Sequence, residues 1–236
     1  MKKIIIIALF LILTAGNAFS HDEGDLMLFI EPQIGFAMPE IGVKLQSGPH
    51  YKKSPDSYSF GFEYALKANI HYYISEVFGV NLGVGVSGFV AMLTAKYVDT
   101  YGYSSSDLYT FSGIYYTIPF GIRLSLDAFA AGAGLTYNIP FPVGSSAMGF
   151  AFDTFDDSNF KLINYLGWYG DIGFDLSGRQ NRRGGFGMSL RVGGSFKDPI
   201  AKNSTQGISY NPFRQFTVSM VFQPSIQLAS LPASGK

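Results

Sequence analysis

The chain has 236 residues, with 17 basic and 17 acidic side chains and a formal net charge of zero. Only 14% of its residues are charged, against about 25% in a typical globular domain, so the composition disfavours a surface that faces water everywhere. Nothing in this balance indicates nucleic-acid binding. The chain has no cysteine, which excludes disulfides, cysteine-type zinc sites and lipoprotein acylation at a cysteine.

Residues 1–20 have the pattern of a cleaved secretory signal peptide. Lys2 and Lys3 form a positively charged N-terminal region. Residues 4–13 form an apolar core that is too short to span a bilayer. Ala18 and Ser20 supply the small side chains of a cleavage site. An uncleaved anchor helix is the alternative. Loss of the two lysines on cleavage would leave a net charge of −2.

Residues 59–74 show the strongest periodicity in the chain. Bulky side chains occupy nearly every second position, beginning with Phe60, Phe62 and Tyr64, and small, polar or charged residues stand between them. A period of two residues predicts a β-strand rather than a helix. A tilted strand needs about 9–11 residues to cross a bilayer. We therefore predict that this stretch is a transmembrane strand.

The same alternation predicts eight strands in all, at about residues 28–38, 59–74, 79–95, 108–124, 129–139, 160–176, 186–196 and 211–222. Their connections alternate in length, as in outer-membrane barrels, which have long extracellular loops and short periplasmic turns. No segment after residue 20 has the ~18 continuous apolar residues of a membrane helix. The predicted fold class is all-β, an eight-stranded antiparallel up-and-down transmembrane β-barrel with both termini in the periplasm.

The direction of the apolar face separates this fold from a soluble eight-stranded carrier of the lipocalin type. An eight-stranded barrel has an interior that side chains just fill. The apolar face carries several Phe, Tyr, Leu or Ile residues on nearly every strand, too many for such an interior, whereas the opposite face is rich in Gly, Ala and Ser. We therefore expect the apolar face to contact lipid. The soluble carrier is the structural alternative.

Charged side chains are expected inside the barrel, by strand parity, at Glu31, Glu63, Lys67, His71, Arg123, Asp171, Asp175 and Arg191. Counted from the periplasmic strand ends, Glu31, Lys67, Asp171 and Arg191 fall at similar heights. Because buried charges have to be paired, the hypothesis is an ion-pair network in the middle of the lumen. Such a network would plug the bore. The alternative is a gated or narrow pathway for small solutes.

Catalytic, metal-binding and cofactor-binding residues are not predicted. A nucleophile needs a base within hydrogen-bond reach, and His71, the histidine within a strand, faces the lumen by parity. The acidic residues Asp153, Asp156 and Asp157 lack the spacing of a calcium loop. We expect a protein that is not an enzyme and uses no cofactor.

Two segments, IPFGIRLSL at 118–126 and FTVSMVF at 216–222, resemble strands of known membrane barrels. With the leader and the alternating strands, they make the chain similar to the small outer-membrane β-barrel superfamily of the OmpA-domain, OmpX and OmpW type. The resemblance implies that periplasmic chaperones and the barrel assembly machinery act on the chain. The implied assembly signal consists of Phe216, Val218, Met220 and the terminal aromatic Phe222. In many relatives that aromatic is the last residue, whereas here a tail follows.

These observations divide the chain into a signal peptide at 1–20, a barrel domain at 21–222 and a short periplasmic extension at 223–236. The expected function is a monomeric, non-enzymatic protein in the outer membrane of a diderm bacterium. It would contact lipid and contribute to envelope structure or to surface interaction with an unknown extracellular ligand. One alternative is an OmpW-like narrow channel for small hydrophobic solutes. Another is a surface adhesin that binds through residues 39–58 or 140–159.

Overall fold

A computed structural model describes residues 21–40, 43–45, 51–53, 58–99, 104–126, 128–141, 161–176, 184–196, 200–201, 208–210 and 214–230. The predicted signal peptide, with Ala18 and Ser20, lies outside these ranges, as does the acidic group Asp153, Asp156 and Asp157. Among the described residues, no helix is long and apolar enough to cross a bilayer.

Eight long strands form the body of the fold. They are β1 (Asp25–Glu40), β2 (Tyr58–Tyr73), β3 (Phe78–Asp99), β4 (Ser104–Leu126), β5 (Phe129–Pro140), β6 (Tyr165–Asp175), β7 (Gly185–Ser195) and β8 (Arg214–Ser230). Each strand pairs antiparallel with its neighbours in sequence, and β8 pairs with β1. The ring is therefore closed. The predicted all-β, eight-stranded antiparallel up-and-down barrel is confirmed.

The large apolar side chains point outward. Ile34 and Phe36 on β1 are 62% and 61% exposed, and Val84 on β3 is 63% exposed. The alternate positions point inward and are mostly small or polar, as on β1, where Glu31 and Gln33 are buried. This arrangement is the one predicted from side-chain volume, and it is the reverse of what a soluble carrier with an apolar bore requires.

Strand lengths differ from the sequence-based expectation at the loop end of the barrel. β3 and β4 pair beyond the predicted ends, up to the Val98–Ser104 pair. Short strands continue the loops: Val43–Leu45 pairs with Ile208–Tyr210, Tyr51–Lys53 pairs with the end of β3, and Lys161–Leu162 pairs with Ile200–Ala201. The residues between the predicted strand ends at 95 and 108 are mostly polar, so the apolar alternation that marks a strand stops there.

The last strand corrects one predicted boundary. β8 continues through Ser230, so residues 223–230, which were expected in a periplasmic extension, pair with β1 and β7. Phe222 consequently lies within the strand and not at its end. On the outward face of β8, Phe222 is followed by Pro224, Ile226 and Leu228, which are also exposed. Pro224 lies where the β1–β8 pairing is interrupted, between the Phe29–Ser225 and Gln33–Val221 pairs, and a proline has no N–H to donate to a strand ladder.

The start of β1 and the end of β8 meet at the end of the barrel that carries the short turns. Asp25 opposes Ser230 across the β1–β8 seam. Just before β1, Gly24 has a φ of 88°, a left-handed conformation that suits glycine, and its N–H donates to the Tyr73 carbonyl at 2.9 Å. This turn directs residues 21–23 back toward the short-turn end of the bore, where the His21 side chain is buried.

Candidate functional site

The centre of the bore is occupied by an ion-pair cluster around Arg191 on β7. Its Nη2 lies 2.7 Å from Asp171 Oδ2 and 3.1 Å from Glu31 Oε2, and its Nε donates to the same Asp171 oxygen at 3.0 Å. Strand register produces the first pair, because Arg191 and Asp171 are direct cross-strand neighbours. The guanidinium also lies 4.6 Å from the centre of the Tyr169 ring, a cation–π contact.

A glutamine connects this cluster to the other side of the lumen. Gln33 Oε1 accepts hydrogen bonds from Lys67 Nζ at 3.0 Å and from Arg191 Nη1 at 3.4 Å. Gln33 Nε2 donates to Glu63 Oε1 at 2.9 Å and to Ser219 Oγ at 3.2 Å. One neutral amide thereby joins charged residues of β2 and β7 and a serine of β8, which fixes their positions across the bore.

A second cluster lies nearer the short turns. Arg123 Nη2 lies 2.8 Å from Asp175 Oδ2 and donates to Gln223 Oε1 at 3.3 Å. Gln223 Nε2 in turn donates to Glu31 Oε1 at 3.1 Å, so the two clusters are continuous. His21 Nε2 lies 3.5 Å from the same Asp175 oxygen, and the His21 ring stacks on Tyr73 with centroids 3.8 Å apart.

Side chains fill the bore at this end. Met27, Phe29 and Tyr73 form a buried apolar cluster below the charged residues. His71 packs against Phe29, with ring centroids 4.3 Å apart, and neither of its ring nitrogens has a hydrogen-bond partner among the described residues. Gln223 is completely buried. The short-turn end of the barrel is therefore closed by packed side chains.

Glycines on the facing strands make room for these large groups. A Cβ at Gly132 would lie 2.6 Å from Asp171 Oδ1, and one at Gly121 would lie 2.7 Å from the Tyr169 hydroxyl. A Cβ atom essentially never lies this close to another heavy atom, so the neighbouring side chain would have to shift. The glycine-rich inner face of β4 and β5 is thus the complement of the bulky, charged inner face of β6.

Toward the loop end the bore contains a small polar cavity of about 50 Å³, which is partly open to solvent. Its lining comes from all eight strands and consists of Gln33, Glu63, Lys67, Ser87, Thr117, Thr136, Asn138, Tyr165, Trp168, Tyr169, Arg191, Gly193, Gly194, Ser195 and Thr217. One wall is a chain of hydrogen bonds: Ser87 and Thr117 share one at 2.6 Å, and Thr117 donates to Asn138 at 2.8 Å.

All eight charged residues expected in the lumen lie on the inner face of the barrel. Seven are buried, and Glu63 is half-buried. Of the four placed at similar heights, Glu31, Asp171 and Arg191 form ion pairs, whereas Lys67 binds the Gln33 amide. Among the described residues, no group of three or more histidines or carboxylates has the arrangement of a metal site.

Sequence reasoning missed the residues that connect the charges. The parity that places Glu31 on the inner face of β1 also places Gln33 there, but the bridging role of Gln33 depends on side chains from three other strands. Gln223 was missed because the strand was expected to end one residue earlier. His21 precedes the first strand and has no periodic pattern to place it in the bore.

No protein-family model matches the sequence, and no curated protein matches it. Solved structures that align with the fold include OprG, AlkL and OmpT. OprG from Pseudomonas aeruginosa has 14% identity and a TM-score of 0.46, with 90% of this chain and 99% of that chain covered. AlkL, determined in DMPC lipid bilayers, has 12% identity and a TM-score of 0.47, with 94% and 97% covered.

The outer membrane protease OmpT from Escherichia coli has 9% identity and a TM-score of 0.35, with 91% of this chain and 100% of that chain covered. The closed ring of eight antiparallel strands is a property of this chain itself. In its architecture, the chain is therefore similar to the small outer-membrane β-barrel proteins that its sequence resembles.

Proposed function

We propose that this chain is an integral outer-membrane barrel with a closed bore, which contributes to envelope structure or surface interaction and catalyses no reaction. The outward apolar surface supports the membrane assignment, since a closed barrel leaves no unpaired strand edge in lipid. Ile34, Phe36 and Val84, each more than 60% exposed, represent that surface.

The observation that carries the closed bore is the continuous network from Arg191 through Glu31 and Gln223 to Arg123. Each of these side chains is at least 96% buried as a residue, and each contacts another across the lumen. Opening a path would require the separation of buried ion pairs, which is strongly unfavourable when a charge is left without its partner. This supports a plug and not a permanent aqueous pore.

Planar-bilayer recording of the purified full chain tests this proposal. We expect no steady conductance above the bare bilayer. A large open barrel reconstituted by the same procedure would serve as the positive control. Insertion is checked separately, by the different gel mobility of heated and unheated protein. A steady open current from correctly folded protein would contradict the closed bore and favour the narrow-channel alternative.

A further inference from the structure

The ladder that closes the barrel is interrupted near its middle. Pairing between β1 and β8 stops after Phe29–Ser225 and resumes, in the same register, at Gln33–Val221. Over the same residues, β1 keeps all its pairs with β2, and β8 keeps all its pairs with β7. The interruption is therefore confined to the β1–β8 seam, and it is a loss of bonds and not a slip of the strands.

Two prolines account for this gap in the seam. The register places Pro32 opposite Phe222 and Pro224 opposite Ile30, all on the outward face. A residue in an antiparallel strand directs its N–H and C=O toward the same neighbour, and a proline has no N–H. Because Pro32 and Pro224 remain paired with β2 and β7, their nitrogens face the seam. The carbonyls of Phe222 and Ile30 consequently lack their ladder donors.

Polar side chains span the same gap from inside the bore. Glu31 and Gln223 oppose each other within it, and Gln223 Nε2 donates to Glu31 Oε1 at 3.1 Å. Arg191 on β7 reaches past β8, so that its Nη2 lies 3.1 Å from Glu31 Oε2. At the edge of the gap, Gln33 donates to Ser219 of β8 at 3.2 Å. Side-chain contacts thus join the two strands where backbone bonds are missing.

The seam differs from the other interrupted ladder of the described strands. The β3–β4 ladder lacks two pairs beside Pro119, where one proline removes one bond. Those strands are consecutive in the chain and pair from there up to Val98–Ser104. The seam loses two bonds and joins the first and last strands, which no short connection holds together.

We propose that Glu31, Gln223 and Arg191 form a clasp that keeps the β1–β8 seam closed, and that the barrel wall opens first at this seam when the clasp is broken. Backbone groups that face lipid find no water to replace a lost ladder bond, so the seam depends on the clasp. The clasp acts on the wall of the barrel and not on the passage through it. Its role is therefore the same whether or not the bore conducts.

Disulfide locks test the clasp, and the absence of natural cysteines makes them specific. Ala37→Cys/Thr217→Cys locks the seam, and Ser125→Cys/Ala130→Cys locks the β4–β5 hairpin. Each lock joins two buried inner residues that oppose each other across a strand pair. The full chain is refolded under oxidising conditions. The measured quantity is the temperature at which half of the folded gel form is lost in detergent.

Glu31→Gln and Asp171→Asn form the matched comparison, because both carboxylates pair with Arg191. Glu31 lies across the seam from Arg191, whereas Asp171 lies on the adjacent strand β6. Without a lock, Glu31→Gln should lower the midpoint by about 5 °C or more. The seam lock should abolish this loss relative to the equally locked parent, and the hairpin lock should leave it. The loss caused by Asp171→Asn should persist under both locks.

The proposal is overturned if Glu31→Gln causes no loss in the unlocked chain, if both locks change that loss equally, or if the seam lock also abolishes the Asp171→Asn loss. If Glu31→Gln does not fold without a lock, folding with the seam lock alone supports the clasp, and failure with both locks contradicts it. A barrel that conducts steadily but is rescued by the seam lock would contradict the closed bore and not the clasp. A silent barrel without that rescue would do the reverse.

Discussion

Arg123 and Asp175 form a buried pair whose contribution can be measured by a double-mutant comparison. Arg123→Met leaves Asp175 without the cation that lies 2.8 Å away. We expect a loss of about 3–5 kcal/mol in unfolding free energy, as for other buried pairs that lose one partner. Urea unfolding in lipid vesicles gives the measurement.

The double variant Arg123→Met/Asp175→Leu provides the control for this prediction. It removes both charges, so no uncompensated charge remains, and we expect it to be more stable than the Arg123→Met variant. Equal stability of the single and double variants would show that the pair is hydrated and contributes little to folding.

Gly132, on the inner face of β5, and Gly170, on the outward face of β6, provide a comparison that tests the packing of the bore. A Cβ at Gly132 would lie 2.6 Å from Asp171 Oδ1, whereas one at Gly170 would meet nothing closer than 3.8 Å. Gly132→Ala should cost about 1–3 kcal/mol through overpacking, and Gly170→Ala should change the unfolding free energy by less than about 0.5 kcal/mol. Urea midpoints in lipid vesicles check both, and equal effects would refute a tightly packed lumen.

Which residues face the bore could be predicted from the sequence, but which of them touch could not. Parity depends on neighbouring residues within a strand, so Glu31 and Arg191 were placed inside by their own strands. Their 3.1 Å contact depends on the closure of the ring and on the register of several strands. A single sequence contains no direct record of that register, which is set by turn geometry and by packing across the lumen.

At the scale of elements, β8 differs most from its predicted form. Its outward positions after Phe222 are Pro224, Ile226 and Leu228, and the proline interrupts the apolar series that marks a strand. Prolines are found in strands only where no ladder hydrogen bond from their nitrogen is needed. The pattern therefore predicted an end at Phe222, whereas the pairing of residues 223–230 with β1 and β7 continues the strand.

Truncation distinguishes a strand from a dispensable tail. A chain that ends at Phe222 loses Gln223, which joins Arg123 to Glu31. It also loses the β8 partners of β1 from Asp25 to Phe29. We expect it not to give the gel shift of a folded barrel. A chain that ends at Ser230 keeps every described strand pair and should fold as the full chain does. Normal folding of the shorter chain would show that residues 223–230 are not needed for closure.

At the scale of the whole molecule, the even number of strands places the start of β1 and the end of β8 together at the short-turn end of the barrel. If that end faces the periplasm, epitope tags before Asp25 and after Ser230 should both be hidden from antibody on intact cells. A tag inserted after residue 150, between β5 and β6, should be accessible. Surface labelling before and after permeabilisation checks this prediction, and surface exposure of either terminal tag would contradict it.

The β1–β8 seam has a consequence for the order of assembly. It joins parts of the chain about as far apart as they can be: Gln227 donates to Asp25 across 202 positions of sequence, at 2.8 Å. Until the last strand arrives, both open edges of the growing sheet present unpaired backbone groups on which another chain could nucleate. Contacts this distant also form slowly. The chain is therefore most vulnerable to aggregation late in its maturation, when all but one of its strands are in place.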